Sequence, residues 1–207
     1  HGSANNKDVV FFSMPSYAPH VNESGGVTST GSADRLGSDL SSSYPITLFT
    51  VFASAENPSS LGAQSRLFVQ GERMKTQHWS VGNYQGKVGF WDGGGRGGPL
   101  IGSPITAQQN KFYVTVATVS DHVQGTSSFY INGNLSGSYS GGYSDSSHGP
   151  GKLALGPLYP DKVDHNNWGT SGSIAEVILY NTVLSDVDRT TITEYLFTKW
   201  GVLSGAA

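Results

Sequence analysis

Short apolar runs separated by turn-forming residues recur along the chain. The strongest are 46–53 (ITLFTVFA), 111–119 (KFYVTVATV) and 173–180 (SIAEVILY). Runs of this length, rich in β-branched and aromatic residues, are typical of β-strands. A strand that is apolar at consecutive positions is covered on both of its faces. We therefore predict that these three segments are interior strands of antiparallel sheets.

Weaker patterns of the same kind predict further short strands. These lie at 9–12, 66–70, 77–82, 87–91, 127–132, 134–139 and 152–155. Asn132 and Gly133 form the dipeptide that favours a two-residue type I′ turn, in which both residues take positive φ. The Gly- and Ser-rich segments between the strands are predicted to be loops, at 22–43, 93–99, 137–151 and 159–170.

A single helix is predicted near the C-terminal end of the chain. Ser185, followed three residues later by Asp188, resembles a capping box. Gly201 suits the position just after the last helical turn. An apolar stripe at helical spacing lies between them, formed by Ile192, Tyr195, Leu196 and Trp200. We expect a helix at about 186–199, with Ile192, Tyr195 and Leu196 buried against the sheets.

Composition narrows the class of protein further. Charged residues make up 13% of the 207 positions, about half the usual share, so the surface must be built largely from uncharged polar residues. The 12 basic and 15 acidic residues leave no basic excess for nucleic acid, and no apolar run approaches the roughly 20 residues that span a bilayer. Cysteine is absent, which excludes disulfides and thiolate metal sites. Residues 1–3 resemble the end of a purification tag, and 4–203 are predicted to form one domain.

Residues 172–201, close to the end of the predicted domain, carry a family pattern. Residues 172–180 read G-S-I-A-E-V-I-L-Y, 181–185 read N-T-V-L-S, and 195–201 read Y-L-F-T-K-W-G. The segment closely resembles the closing strand and helix of bacterial and phage laminin G-like domains, which belong to the concanavalin A-like lectin/glucanase superfamily. F-Y-I-N-G at 129–133 resembles the hairpin of the family, and T-L-F-T-V-F at 47–52 resembles its early central strand.

This resemblance implies an all-β fold. The expected architecture is a two-sheet antiparallel jelly-roll sandwich of the concanavalin A-like type, with one C-terminal helix. The resemblance also implies that the domain binds glycans or other surface ligands more often than it catalyses a reaction. Fold alone does not determine function, so the choice has to be made from the site residues.

The densest polar cluster precedes the last predicted strand. It contains Tyr159, Asp161, Asp164, His165, Asn166, Asn167 and Trp168. Carboxylates and amides bind vicinal hydroxyls, and an exposed Trp face stacks on the C–H face of a pyranose. These are the requirements for binding a neutral sugar. The alternative is a polar surface loop in which Trp168 packs on the core.

Calcium is a second interpretation of the same cluster. Asp161, Asp164 and Asn166 offer the hard oxygen atoms that calcium prefers, although they would fill only part of a shell of 6–8 ligands. The resemblance points the same way, since related laminin G-like domains and lectins often hold calcium. No other cofactor is indicated by the sequence.

A second candidate cluster lies around the glycine-rich segment 93–98. Trp91 could offer a stacking platform, with Asp92 and Arg96 as its polar partners. The alternative is that alternation along the strand buries this ring between the sheets. We predict that this cluster and residues 159–168 border one concave glycan-binding surface.

Catalysis is disfavoured by the placement of the carboxylates. Retaining glycoside hydrolysis needs two carboxyl groups about 5–5.5 Å apart, which hydrolases of the resembled family place on one strand as E-x-D-x-E. The five glutamates stand alone, at 23, 56, 72, 176 and 194. Glu176 interrupts an apolar strand and must find hydrogen bonds or a cation if it is buried, so a structural role is favoured.

The sequence therefore predicts a non-catalytic, lectin-like module of a secreted bacterial protein or a phage surface or tail protein. Its expected partner is a glycan or polysaccharide, without nucleic acid or membrane insertion, in an extracellular or virion-surface location within a larger multidomain or oligomeric assembly. The alternative is a structural virion or adhesin domain without a sugar site. A polysaccharide-active enzyme of the same fold is the third candidate.

Overall fold

The computed structural model describes part of the chain. The backbone is described at residues 2–4, 7–12, 20–21, 27–28, 36–42, 44–54, 68–70, 79–84, 87–92, 100–121, 125–140, 151–155 and 172–204. Side chains are described at 44–53, 81–82, 87–90, 101, 105–121, 125–140 and 173–204. Every structural statement below concerns these residues.

Two antiparallel sheets dominate the described residues. The strands, numbered along the chain, form a seven-stranded first sheet in the order β1 (Gly2–Ala4), β2 (Lys7–Phe12), β15 (Gly172–Tyr180), β6 (Ile46–Ser54), β11 (Phe112–Val119), β12 (Thr126–Ile131) and β13 (Asn134–Ser140). The six-stranded second sheet has the order β10 (Leu100–Thr106), β9 (Lys87–Asp92), β8 (Trp79–Tyr84), β7 (Phe68–Gln70), β14 (Gly151–Leu155) and β5 (Leu36–Ser42). A small ribbon pairs β3 (His20–Val21) with β4 (Val27–Thr28).

The three strongest apolar runs of the sequence form the centre of the first sheet. β6 pairs with β15 on one side and β11 on the other, and all three are interior strands, as predicted. The prediction that residues 22–43 are loop is wrong at β4 and β5. The sequence analysis also missed β10, which forms the opposite edge of the second sheet from β5.

The two faces of β6 explain its continuous apolar pattern. Ile46, Leu48 and Phe52 point between the two sheets, where they pack in one core. Phe49 and Val51 point the other way, into a second core beneath the C-terminal helix. Alternating side chains of a strand face opposite sides, so a strand covered by a sheet and a helix must be apolar at both sets of positions.

The predicted helix is present as α1 (Asp186–Trp200), and it lies over the outer face of the first sheet. The Ser185 hydroxyl accepts a hydrogen bond from the Asp188 backbone N–H at 3.2 Å and donates one to the Asp188 carboxylate at 2.7 Å. Gly201 adopts φ 66°, and both its N–H and that of Val202 donate to the Phe197 carbonyl. These contacts satisfy backbone groups that a helix end leaves without partners.

The helix buries a narrower stripe than the sequence predicts. Leu196 is fully buried, Trp200 is 5% exposed, and Ile192 packs against the same cluster while partly buried. Tyr195 is 50% exposed, so the prediction that it is buried is wrong. Each helical residue turns by about 100°, which places position 195 on the solvent side of the stripe that Leu196 and Trp200 define.

The hairpin between β12 and β13 turns through Asn132 and Gly133, as predicted. Their φ angles are 47° and 85°, which are the positive values that a type I′ turn requires. Asn132 is 2% exposed and is hydrogen-bonded to Val114 in the neighbouring strand β11. Its N–H donates to the Val114 carbonyl at 2.8 Å, and its Oδ1 accepts from the Val114 N–H at 3.1 Å. The turn is thereby fixed to the centre of the sheet.

Gly133→Ala tests this turn. A methyl group at position 133 would lie 3.7 Å from the Phe197 ring, an ordinary contact, so the expected penalty comes from the positive φ alone. We expect the free energy of unfolding to fall by about 1–2 kcal/mol. Urea denaturation measures it, with Ser138→Ala on the solvent-exposed part of β13 as the control. A loss below about 0.3 kcal/mol for Gly133→Ala would contradict the assigned turn.

The strand directions define two ends of the sandwich. The first end is the one at which β5 passes into β6, between Ser42 and Ile46. The second end is the one at which β10 passes into β11, between Thr106 and Phe112. The Asn132–Gly133 turn lies at the second end, because β12 runs antiparallel to β11. The helix starts after β15 has reached the first end, and Phe197 in its last turns lies beside Gly133 at the second.

Candidate functional site

Most of the predicted ligand-binding residues lie outside the described residues. This applies to Arg96 and to Tyr159, Asp161, Asp164, His165, Asn166, Asn167 and Trp168. Trp91 and Asp92 are described in their backbone only, in β9, where Trp91 pairs with Ser80 and Leu100 and Asp92 pairs with Trp79. Their assignment as ligand-binding residues stays a prediction.

The strands that carry the two predicted clusters nevertheless show where each cluster is attached. β9 ends and β10 begins at the first end of the sandwich, so segment 93–99 is attached there. β14 ends at the second end, since its first residue Gly151 pairs with Ser42, and β15 begins there, since Gly172 pairs with Ser54. Segment 156–171 is therefore attached at the second end. This topology does not support one surface shared by the two clusters.

The described side chains build a groove at the second end of the sandwich. It has a volume of about 790 Å³ and lies between one flank of α1 and the Asn132–Gly133 turn, with residues 202–204 closing it. Phe197 supplies an apolar surface, and its ring packs against the second core, beneath the C-terminal helix. Polar groups surround the ring, among them Asn134, Arg189, Thr190, Glu194 and Thr198.

The polar groups of this groove differ in how far they are already engaged. The Arg189 guanidinium bonds to the Asp186 carboxylate at 2.9 Å and lies 3.7 Å from the centroid of the Tyr130 ring, so it is fixed in place. Thr193 and Thr198 donate their hydroxyls to helix carbonyls, at 2.8 and 3.0 Å. The exposed Glu194 side chain makes no hydrogen bond or ion pair in the described part of the chain.

Glu176 is engaged in the fold. Its carboxylate accepts a hydrogen bond from the Trp200 indole N–H at 2.6 Å and one from the Lys199 ammonium at 3.0 Å. The side chain is 19% exposed. Glu176 thus fastens the last turn of α1 to β15, which supports the structural role favoured by the sequence.

A β-bulge explains why a carboxylate is tolerated in this apolar strand. Ile174 pairs with Phe52, but Glu176 pairs with Val51, so one extra residue lies in β15 at this point. A bulge changes which face the following residues use. It turns Glu176 toward the helix, while Ile174, Val177 and Leu179 all contact the core between the sheets.

The hydrogen bonds of Lys199 also shift its pKa. Hydrogen bonds with the Tyr195 side chain and with Glu176 raise the pKa of Lys199 above its ordinary value of 10.5. A raised pKa means that the interaction stabilises the fold at every pH below the ordinary range of lysine. The stabilisation is lost only as the pH rises through the folded-state pKa, in strongly alkaline solution.

The described residues show neither a metal-binding cluster nor a membrane-spanning helix. Within the described residues, no group of three or more His, Cys, Asp or Glu side chains is arranged to hold a metal ion. The predicted calcium ligands at 161, 164 and 166 lie outside the described residues. No helix in the described part of the chain is both long and apolar enough to cross a membrane.

Sequence reasoning did not find the groove. Its residues come from the hairpin turn and the helix, which are more than fifty positions apart, and each part was interpreted separately. One signal was available: Phe197 is a large apolar residue beside the buried stripe of the helix, where solvent-facing polar residues are expected. Its position beside Gly133 shows that hairpin and helix end together at the second end of the sandwich.

The fold and the closing segment together define a two-sheet sandwich of the jelly-roll class. A family model, Laminin G 3 of the concanavalin A-like lectin/glucanases superfamily, matches residues 30–188. The chain therefore belongs to this laminin G-like family. The match ends within the first turn of α1, so most of the helical flank of the groove lies beyond it.

Solved structures with the same fold include several proteins of low sequence identity. A heptameric SAP-like pentraxin from Limulus polyphemus is 15% identical, with a TM-score of 0.56 over 77% of this chain and 75% of that one. The CBM40 module of a Ruminococcus gnavus IT-sialidase, bound to α2,3-sialyllactose, is 16% identical, with a TM-score of 0.52 over 72% of this chain and 82% of the module.

A botulinum neurotoxin type C structure, which concerns interaction with two ganglioside molecules, is 13% identical, with a TM-score of 0.57 over 75% of this chain. This chain spans 36% of the length of that structure. No curated protein matches the sequence at a significant level. At such identities the likeness establishes the fold.

Proposed function

We propose that this chain is a non-catalytic glycan-binding module of a secreted or surface protein, of bacterial or phage origin. The observation that carries the proposal is the shared sandwich fold. The Ruminococcus gnavus module with this fold binds a sialylated lactose, and the neurotoxin concerns gangliosides, which also carry sugars. A sandwich supplies rigid strands from which ligand-binding loops project, and sites are commonly placed on such loops.

The described carboxylates support binding in preference to hydrolysis. Glu176, the one acidic residue within the interior strands β6, β11 and β15, is engaged with Lys199 and Trp200 and lies on the helix side of the sheet. An acid or nucleophile of a glycosidase must face a substrate cleft together with a second carboxyl group. The described residues Asp186 and Asp188 serve the start of the helix, through Arg189 and Ser185 respectively.

The glycan-contacting residues are proposed to be those of segment 159–168, at the second end of the sandwich. Trp168 supplies a ring for stacking, and Asp161, Asp164 and Asn166 supply hydroxyl-binding oxygens or ligands for calcium. Tyr159, His165 and Asn167 complete this cluster. Trp91, Asp92 and Arg96 form a separate contact surface attached at the first end.

Trp168→Ala and Asp164→Ala test this assignment. Each substitution is expected to weaken glycan binding about tenfold or more, because loss of a stacking ring or of a charged hydrogen-bond partner costs roughly 1.5–3 kcal/mol. The melting temperature should change little, since a binding loop contributes few contacts to the two cores. Isothermal titration calorimetry and thermal denaturation measure the two quantities.

The matched control is Asp121→Ala, which removes an exposed carboxylate just beyond the end of β11, at the first end of the sandwich. It should leave affinity unchanged. Affinity that is unaffected by Trp168→Ala and Asp164→Ala would refute this assignment of the site. A domain that binds no glycan at all would instead act as a structural virion or adhesin domain.

A further inference from the structure

We propose that the groove between α1 and the Asn132–Gly133 turn binds a neutral hexopyranose unit of the glycan. The proposal rests on the glycan-binding function and adds a second contact surface, with its own sugar chemistry. Nothing in the matched family segment, residues 30–188, accounts for a groove whose helical flank extends through Thr193, Phe197 and Thr198.

The groove is preformed. One wall is the hairpin turn, which Asn132 fixes to Val114 through two hydrogen bonds of 2.8 and 3.1 Å. The opposite wall is α1, which is held by the buried Leu196 and by the Glu176–Trp200 hydrogen bond. Walls that are already ordered need not lose conformational entropy when a ligand binds, which favours affinity for a small, polar ligand.

The lining combines the two features that a pyranose ring requires. Phe197 offers an apolar ring on which the C–H face of a sugar can stack. Around it, Glu194 offers two carboxylate oxygens that can accept bonds from vicinal hydroxyls, and the exposed Asn134 amide can both donate and accept. Thr198 uses its hydroxyl proton in a bond to the Glu194 carbonyl, so its oxygen is left as an acceptor for a sugar hydroxyl.

The charges of the groove select among sugars. The positive charge of Arg189 is compensated by Asp186, and the guanidinium is 12% exposed while it stacks on Tyr130. Glu194 is the lining carboxylate without a cationic partner among the described residues. A carboxylated sugar would therefore meet an uncompensated like charge, whereas a neutral hexose would not. This separates the groove from a sialic acid site.

Amide chemical-shift mapping tests the proposal directly. ¹⁵N-labelled protein is titrated in parallel with maltotriose, cellotriose, laminaritriose, mannotriose and, as the charged probe, α2,8-linked trisialic acid, in which every ring carries a carboxylate. At least one neutral trisaccharide is expected to shift the amides of Gly133, Asn134, Glu194 and Thr198. The sialylated probe is expected to leave these four amides unchanged.

Two substitutions and a matched control test whether the side chains of the groove bind the trisaccharide. Glu194→Gln and Phe197→Leu should each lower the affinity of the groove for the neutral trisaccharide about tenfold, through loss of a charged acceptor and of the stacking ring. Tyr195→Leu removes a ring from the other solvent-facing flank of the same helix and should leave affinity unchanged. Thermal denaturation checks that all three variants are folded.

The outcomes distinguish this proposal from the glycan-binding function itself. If glycans bind, and Trp168→Ala abolishes binding, while no neutral trisaccharide shifts the groove amides, the groove proposal is wrong and the module function stands. If the sialylated probe shifts the groove amides as strongly as the neutral ones, the charge argument is wrong. If no glycan of any kind binds the protein, both proposals are wrong.

Discussion

Leu196→Ala is expected to lower the free energy of unfolding by about 2–5 kcal/mol. Leu196 is fully buried, and it packs with Phe49, Val51 and Val114 in the core between α1 and the first sheet. Truncation removes buried apolar surface and leaves a cavity that close-packed neighbours fill only in part. Equilibrium denaturation in urea, monitored by tryptophan fluorescence, measures the change.

Leu203→Ala is the matched control for this substitution. Leu203 lies just after the helix and is 75% exposed, so the same truncation should change the free energy of unfolding by less than about 0.5 kcal/mol. A loss below about 1 kcal/mol for Leu196→Ala would show that the helix merely rests on the surface of the sandwich.

Glu176→Ala is expected to cost about 2–3 kcal/mol of stability. It removes the acceptor of the Trp200 indole N–H and of the Lys199 ammonium, and it leaves the N–H of a tryptophan that is 5% exposed without its partner. Hydrogen bonds to charged groups contribute roughly 1.5–3 kcal/mol, and a buried unpaired donor adds a desolvation penalty. The expected loss of stability is smaller than for breaking a fully buried ion pair, because the Lys199 side chain is 31% exposed.

Glu194→Ala provides the comparison on the exposed side of the helix, where the change in unfolding free energy should stay within about 0.5 kcal/mol. Glu176→Gln separates charge from geometry. The glutamine can still accept one hydrogen bond from Trp200 but forms no ion pair, so it should lose less stability than alanine. Equal stability of wild type and Glu176→Ala would contradict the proposed fastening of α1 to β15.

The interior strands of the fold could be predicted because their own residues show the apolar pattern of a strand that is covered on both faces. β6 turns Ile46, Leu48 and Phe52 to the core between the sheets and Phe49 and Val51 to the core under the helix, with Thr47 and Thr50 as its buried polar residues. The turn at Asn132 and Gly133 was predictable for a related reason, since two consecutive positive φ angles strongly restrict the residue types.

Two of the missed strands, β5 and β10, are edge strands of the second sheet. β5 reads L-G-S-D-L-S-S and β10 reads L-I-G-S-P-I-T, with glycine, serine or proline among the apolar residues. An edge strand pairs on one side only, which permits residues such as proline that an interior strand excludes. These segments form strands because of their pairing partners. β5 pairs with β14, which lies far away in the sequence, and β10 pairs with β9, which lies across a loop.

The candidate site was less predictable than the fold. The clusters at 91–96 and 159–168 were recognised by side-chain chemistry, but a sequence does not show from which end of a sandwich a loop projects. That information comes from strand pairing, such as Gly172 with Ser54. The groove was not predicted from the sequence for a similar reason: Asn134 and Glu194 come together only when the helix packs on the sheet.

The central claim is that this domain binds a glycan without cleaving it. Isothermal titration calorimetry tests it most directly, with a broad panel of polysaccharides in the presence of calcium or of a chelator. The titrated samples are then assayed for new reducing ends and unsaturated products, which would reveal cleavage. We expect saturable heat with at least one glycan, modest affinity per site, and no product under any condition. The absence of heat across the whole panel would contradict the glycan-binding function, and release of product would contradict its non-catalytic character.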